Sequence, residues 1–141
     1  MKNDLPISLV AEILAIDQRL RSRLSKALPK GMELSHFSVL NHLAATKSEV
    51  TPAKLAASLN VTRGAITNTL SRLEANGHIH VGKDWEDARK KYVSITQAGM
   101  LAREMAIQAV SPVFETVAKE NDEVALKGLI ASLRKLRLQL G

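Results

Sequence analysis

The stretch VTRGAITNTLSRLEANG, residues 61–77, has the spacing of a helix but not the composition of an ordinary one. Thr, Asn and Ser crowd its middle. They are poor helix formers because their side chains compete for backbone hydrogen bonds. Gly64 falls in the first turn. Advancing about 100° per residue from Ile66 puts Leu70 and Leu73 within roughly 40° of it, a seam suited to burial. Gly64, Thr67, Asn68, Ser71 and Ala75 fall roughly 100–200° away, with Arg63 and Arg72 flanking them. The outward face is small, flat and rich in hydrogen-bonding groups, and no long acidic side chain interrupts it until Glu74. A helix laid in the major groove of DNA needs this arrangement. Short side chains let the backbone approach base edges, hydroxyls and an amide read them, and arginines reach phosphate or guanine. An ordinary polar helix is the competing reading. Gly64 fits either, as a point of close approach to DNA or as an early-turn glycine costing at most about 1 kcal/mol.

The neighbouring residues favour the first reading. Immediately upstream, VTPAKLAASLN places Thr51 as an N-cap and Pro52 at the first helical position, where its missing N–H is not needed. That short helix ends near Asn60. Thr62 then caps the helix 62–76, and Gly77 closes it. A short supporting helix, a tight turn and a reading helix form a helix-turn-helix. Downstream, HIHVGK and KYVSI alternate in the manner of strands, Ile79, Val81, Tyr92 and Ser94 among them. They form a hairpin whose long charged tip makes a wing over residues 82–91. Lys83, Arg89, Lys90 and Lys91 are its basic residues. An arginine at such a tip suits the minor groove, where the potential is most negative. Asp87, two residues before Arg89, is placed to hold its guanidinium. A solvated charged loop is the alternative for this run. Trp85 is expected to pack at the base of the loop, with a stacking role as the alternative.

The rest of the chain is helical. From Ile7 to about Leu28, Leu9, Ile13, Ile16, Leu20 and Leu24 recur at steps of three and four before Pro29 and Gly31 stop the helix. Ser35 is expected to cap a second helix to about Thr46, with Phe37, Leu40 and Leu43 inward. Thr96 caps a further helix that Pro112 is expected to bend. A last helix starts at Glu120 to Asp122 and carries a stripe of Leu126, Leu129, Ile130, Leu133, Leu136 and Leu140. The fold class is therefore mainly α with a small β-hairpin. A winged helix-turn-helix domain spans 35–96, and residues 1–34 and 97–141 form a helical dimerisation region. The wide apolar stripes at both ends exceed what one short domain can cover, so the ends are expected to pair within the chain and with a second copy.

Composition sets the bounds. The chain has 141 residues, 45% of them apolar and only 3% aromatic, so a core of Leu, Ile, Val and Ala in packed helices is expected. There is no cysteine, which excludes disulfides, thiolate metal sites and a thiol switch. No signal peptide and no apolar run of membrane-spanning length is seen, so a cytoplasmic protein without a membrane partner is expected. The net charge is +6, with 20 basic and 14 acidic residues. Residues 61–96 hold six basic and four acidic residues, a net of +2, and residues 1–34 also net +2. The basic excess is not concentrated on the reader. Arrangement, not total charge, points to DNA.

In order along the chain stand a helix-turn-helix, Arg72-Leu73-Glu74 with Gly77, Asp87-Ala88-Arg89, and Ser94-Ile95-Thr96 with Gly99. This order resembles the MarR family of transcriptional regulators, in which the pattern is RLE-x-x-G, a wing with D-x-R, and a strand ending S-[LI]-T-x-x-G. The resemblance covers nearly the whole chain and is most specific from Leu55 to Gly99. It implies a homodimer with interlocked terminal helices, acting as a repressor or activator on a palindromic double-stranded operator. It further implies Arg89 in the minor groove with Asp87 positioning it. The DNA-contacting set is then Thr62, Arg63, Gly64, Thr67, Asn68, Ser71, Arg72, Lys83, Asp87, Arg89, Lys90 and Lys91. The resemblance also implies release of DNA when a small aromatic or phenolic anion binds between the dimer helices and the reading domain. Lack of cysteine excludes the peroxide-sensing branch.

Rival readings find less support. The four histidines are His36, His42, His78 and His80. His78 and His80 sit two apart on an expected strand and would share a face, but zinc needs further ligands, so a metal-responsive regulator is an alternative and no metal site is assigned. No nucleophile motif and no phosphate loop appears, so no catalytic residue, cofactor or enzyme activity is expected. A winged helix used only for protein contacts would carry apolar residues where this one has Thr67, Asn68 and Ser71. Arg19, Arg23 and Lys26 share a face of the first helix, most simply a solvated one.

Overall fold

A computed structural model describes residues 4–46, 48–87 and 89–141. The described residues form six helices and one hairpin: α1 (Asp4–Ala27), α2 (Leu34–Ala45), α3 (Pro52–Leu59), α4 (Arg63–Ala75), β1 (Ile79–Lys83), β2 (Lys91–Ile95), α5 (Gln97–Glu120) and α6 (Glu123–Gln139). The mainly helical class with a small hairpin is as expected from sequence. The chain divides into two compact units between Ala109 and Val110, inside α5.

The first unit is built around α4. Ile66, Leu70 and Leu73 are buried, as the helical spacing requires, and they join Val39, Leu40 and Leu43 of α2, Leu55 of α3 and Val93 of β2 in one core. Thr69 is also buried. Its hydroxyl donates to the Ala65 carbonyl at 3.1 Å, so the polar group is satisfied inside its own helix. β1 and β2 pair antiparallel from Ile79 opposite Ile95 to Lys83 opposite Lys91. Val50 adds a bridge to Val93, with N–H···O distances of 3.1 and 2.7 Å, and so fastens the hairpin to the segment before α3. The sequence reading has no counterpart for that single-residue pairing.

Local chemistry sets the helix ends. The Thr51 hydroxyl accepts from Lys54 N–H at 3.2 Å and that of Thr62 from Ala65 N–H at 3.1 Å, as expected. After α4, His78 N–H donates to Leu73 O and Gly77 N–H to Glu74 O, both at 2.9 Å, with Gly77 at φ 76°. This double closure is the geometry that a glycine just past a helix provides. Thr96 caps α5 by accepting from Gly99 N–H at 3.0 Å while its hydroxyl donates to Gly77 O at 2.7 Å. A Cβ on Gly99 would stand 2.0 Å from the His78 carbonyl oxygen, so only glycine lets α5 lie this close to the start of the hairpin.

Three expectations are corrected. α1 is already helical at Asp4, the first described residue, earlier than Ile7. α2 is capped by Glu33, not Ser35, because Glu33 N–H donates to His36 Nδ1 at 3.1 Å. Phe37 is only half-buried, and the inward face of α2 is instead His36, Val39, Leu40 and Leu43. The helical assignment of α5 continues through Pro112.

In the second unit, α6 is capped by the Asp122 carboxylate, which accepts from Ala125 N–H at 2.7 Å. It has no buried residue within the chain, and neither does α1. Leu129, Ile130 and Leu133 on α6, and Leu9, Ile16 and Leu20 on α1, are exposed. Among the described residues, no helix is long and apolar enough to cross a membrane.

Candidate nucleic-acid interface

The buried seam of α4 leaves its opposite face in solvent. Thr62, Arg63, Gly64, Thr67, Asn68, Ser71 and Arg72 are all exposed. A Cβ on Gly64 would meet nothing within 4 Å, so packing within the chain does not require a glycine there. The Thr67 hydroxyl donates to Arg63 O at 2.8 Å. Its proton is thereby committed, and the outward-facing oxygen is left as an acceptor beside a methyl group. The Thr62 oxygen accepts its capping bond and keeps its own proton to donate. Asn68 and Ser71 make no side-chain hydrogen bond among the described residues, so both present their full donor and acceptor sets to solvent.

The wing faces the start of this helix. Arg89, Lys90, Lys91 and Tyr92 from the wing, Arg63 and Thr67 from α4, and Thr51, Pro52 and Ala53 from the start of α3 line one groove of about 400 Å³. Four cationic side chains and two helix N-termini therefore border the same space, and both features favour an anionic occupant. The sequence alone did not reveal this convergence.

Asp87 holds Arg89 by side chain and backbone. Its Oδ1 accepts from Arg89 Nε at 3.1 Å and from Arg89 N–H at 3.0 Å, and its Oδ2 accepts from Nη2 at 3.4 Å. These bonds from Arg89 hold the Asp87 carboxyl below the usual carboxylate range, so it stays ionised wherever the arginine needs it. Behind the tip, Asp84 N–H donates to Lys90 O at 3.1 Å, Asp84 Oδ1 accepts from Glu86 N–H at 2.9 Å, and Tyr92 Oη donates to Asp84 Oδ2 at 3.3 Å. Sequence reasoning passed over Asp84 and Tyr92, although an aspartate at the start of a tight tip is a recognisable turn signal.

Other expected residues lie apart from the groove. Lys83 ends β1 opposite Lys91. Arg72 and Asn68 line a smaller cleft of about 170 Å³ with Glu33, His36 and Thr69. Trp85 does not pack at the base of the loop: its side chain is fully exposed. Asp84 takes the anchoring role instead, and the indole is turned outward. His78 and His80 do not share a strand face, because His78 precedes β1. His80 is exposed, whereas His78 is partly buried, with an Nδ1 that lacks a hydrogen-bond partner. Among the described residues, no three potential metal ligands cluster.

His36 is the buried titratable group beside the reading helix. Burial pushes its imidazole below its usual range. Glu33 opposes that shift, and Arg72 and His78 reinforce it. His36 and His78 both line a cavity of about 330 Å³ together with Lys30, Met32, Leu73 and Met105.

Residues 30–90 match the model of the MarR family. An uncharacterized HTH-type transcriptional regulator of Bacillus cereus is 31% identical over 120 residues, covering 81% of this chain and 79% of that protein. A mutant MarR of E. coli, crystallised with operator DNA, superposes with a TM-score of 0.81 at 26% identity, covering 92% of this chain and 94% of its own. BldR of Sulfolobus solfataricus shares the fold over 99% of both chains, with a TM-score of 0.82 at 24% identity. These are transcriptional regulators, not enzymes, and with the winged helix-turn-helix described above they establish that this chain belongs to the MarR family of transcriptional regulators.

Proposed function

We propose that the protein is a homodimeric, ligand-responsive regulator that binds a palindromic operator. Helix 62–76 lies in the major groove and wing 82–91 in the adjacent minor groove. The observation that carries this reading is the convergence of Arg63 and Thr67 with Arg89, Lys90 and Lys91 on one groove. The residues expected from sequence to contact DNA keep those roles here: phosphate or guanine for Arg63 and Arg72, close approach for Gly64, base edges for Thr67, Asn68 and Ser71, and the minor groove for Arg89 held by Asp87, with Thr62, Lys83, Lys90 and Lys91 as further contacts. The exposed apolar stripes on α1 and on α6 support a second copy as partner. Residues 1–34 and 97–141 are its dimerisation region and 35–96 its reading domain. A cytoplasmic location follows from the proposed role on DNA.

The effector belongs to the same proposal. A cavity of about 330 Å³ is within the range of small-molecule sites. Two methionines and a leucine offer an apolar lining, and Lys30 with two histidines offers polar groups for an anion. A small aromatic or phenolic anion fits that chemistry.

The test begins with genomic fragments selected by the protein. Two half-sites about 34–36 Å apart are expected, one helical turn. Affinity for the selected duplex should fall steeply with salt, because phosphate contacts release counterions. Affinity that is flat with salt, or equal on random duplex, would sink the proposal.

A further inference from the structure

Trp85 is the only tryptophan in the chain, and among the described residues its side chain is fully exposed, with a relative exposure of 102%. An indole carries about 150–250 Å² of surface, and left in water that area favours association. The backbone on either side of it is held. The hydrogen bond from Asp84 N–H to Lys90 O closes the wing immediately behind the tip, and the Asp84 carboxylate is held by Glu86 N–H and Tyr92 Oη. Trp85 follows Asp84, and Arg89 precedes Lys90. Trp85 and Arg89 therefore stand in one tip, closed behind them by that hydrogen bond. The Arg89 side chain is 91% exposed. Both exposed side chains belong to the tip, so a surface that meets the tip is open to both.

The surrounding charge indicates what that surface is. Lys83, Arg89, Lys90 and Lys91 are cationic. Asp87 is paired with Arg89, and Asp84 spends its oxygens inside the wing. Among the described residues of the wing, Glu86 is the one acidic residue whose carboxylate is not engaged within the tip. An apolar ring in this cationic setting suits nucleic acid, whose deoxyribose faces and base-step edges accept apolar side chains in the minor groove.

We infer that Trp85 contacts DNA, its indole packed against the deoxyribose wall of the minor groove that receives Arg89, an inference that rests on the DNA-binding reading above. The full-length protein is titrated with the operator duplex recovered by genomic selection while tryptophan emission is followed. With excitation beyond tyrosine absorption the emission comes from Trp85, because the chain has no other tryptophan. The expected result is a saturable change in emission that follows the gel-shift binding curve. Trp85→Ala should weaken binding about tenfold, with an unchanged melting temperature and salt slope, and Trp85→Phe should restore part of the loss. Operator binding with silent emission, and with Trp85→Ala within about twofold of the parent protein, would overturn this inference alone. Failure to bind any duplex would overturn the DNA-binding reading and this inference with it.

Discussion

The reading helix and the wing face one groove but are held in opposite ways. α4 is anchored from behind by Ile66, Leu70 and Leu73, all part of the core. Every described residue from Lys83 to Lys91 is at least partly exposed, and the tip keeps its shape through Asp84, Asp87 and Tyr92. Hydrophobic anchoring ties the orientation of α4 to the stability of the whole unit. Polar anchoring separates the wing from that stability, so the wing can change its contacts while the fold persists. Variants that break the two anchors should therefore fail differently.

The largest effect is expected from the helix side. Leu73 is 1% exposed, and Leu73→Ala leaves a cavity against α2 and the hairpin. A loss of about 2–5 kcal/mol is expected, a large share of a small domain's stability. Chemical denaturation should show a lower midpoint with an unchanged slope, and operator binding should fail on warming. A Leu73→Ala protein that melts like the parent would show that α4 is not held by this seam.

The wing should behave in the converse way. Arg89→Ala removes an exposed side chain whose recorded partner is Asp87. A loss of about 10- to 100-fold in operator affinity is expected, with little change in melting temperature. Gel shift and thermal melts on the same preparation check both halves. Equal loss of affinity and stability would erase the contrast between the regions.

That contrast was only half legible in the sequence. The caps Thr51, Thr62 and Thr96 and the closing Gly77 are local devices, so their positions followed from residue type and spacing. The seam of α4 followed from helical periodicity. The Val50–Val93 bridge did not, because a single pairing between distant segments leaves no period. His36 and Thr69 were missed as buried residues because each satisfies its polar group locally, with Glu33 N–H and Ala65 O respectively. Trp85 was misplaced by its hydrophobicity: the turn chemistry of Asp84 overrides it and turns the ring outward. In the site, Thr67 and Asn68 were expected on the outward face and Arg63 beside it, yet only Arg63 and Thr67 share the wing's groove.

A third prediction tests how far the helix side depends on one buried polar contact. His36 accepts Glu33 N–H at 3.1 Å and lies close enough to Arg72 and His78 to feel their charge. Its folded-state pKa is depressed, mainly by burial. The unfolded chain thus takes up the proton more readily than the folded one. Stability is full above the ordinary histidine value of 6.5 and falls as pH drops from there towards the lower folded value. The denaturation midpoint should decline as pH drops below the ordinary histidine value of 6.5. His36→Gln has no proton to gain in this window and should flatten that decline. An identical pH profile in His36→Gln would assign the loss to other groups.

The smallest expected effect lies at the back of the wing. Tyr92 Oη donates to Asp84 Oδ2 at 3.3 Å, and Tyr92 also lines the groove that holds Arg63 and Arg89. The Asp84 charge raises the phenol above its usual range, so Tyr92 stays a donor across ordinary pH. Tyr92→Phe keeps the ring and removes only that donor. Asp84 would still accept from Glu86 N–H and still close the tip through Lys90 O, so the wing should loosen without opening. Operator affinity should fall about two- to threefold, with a melting temperature within about 2 °C of the parent. A drop in melting temperature comparable to that of Leu73→Ala would mean that the hairpin carries structural load through its polar contacts. The distinction between a core-held helix and a bond-held wing would then have to be abandoned.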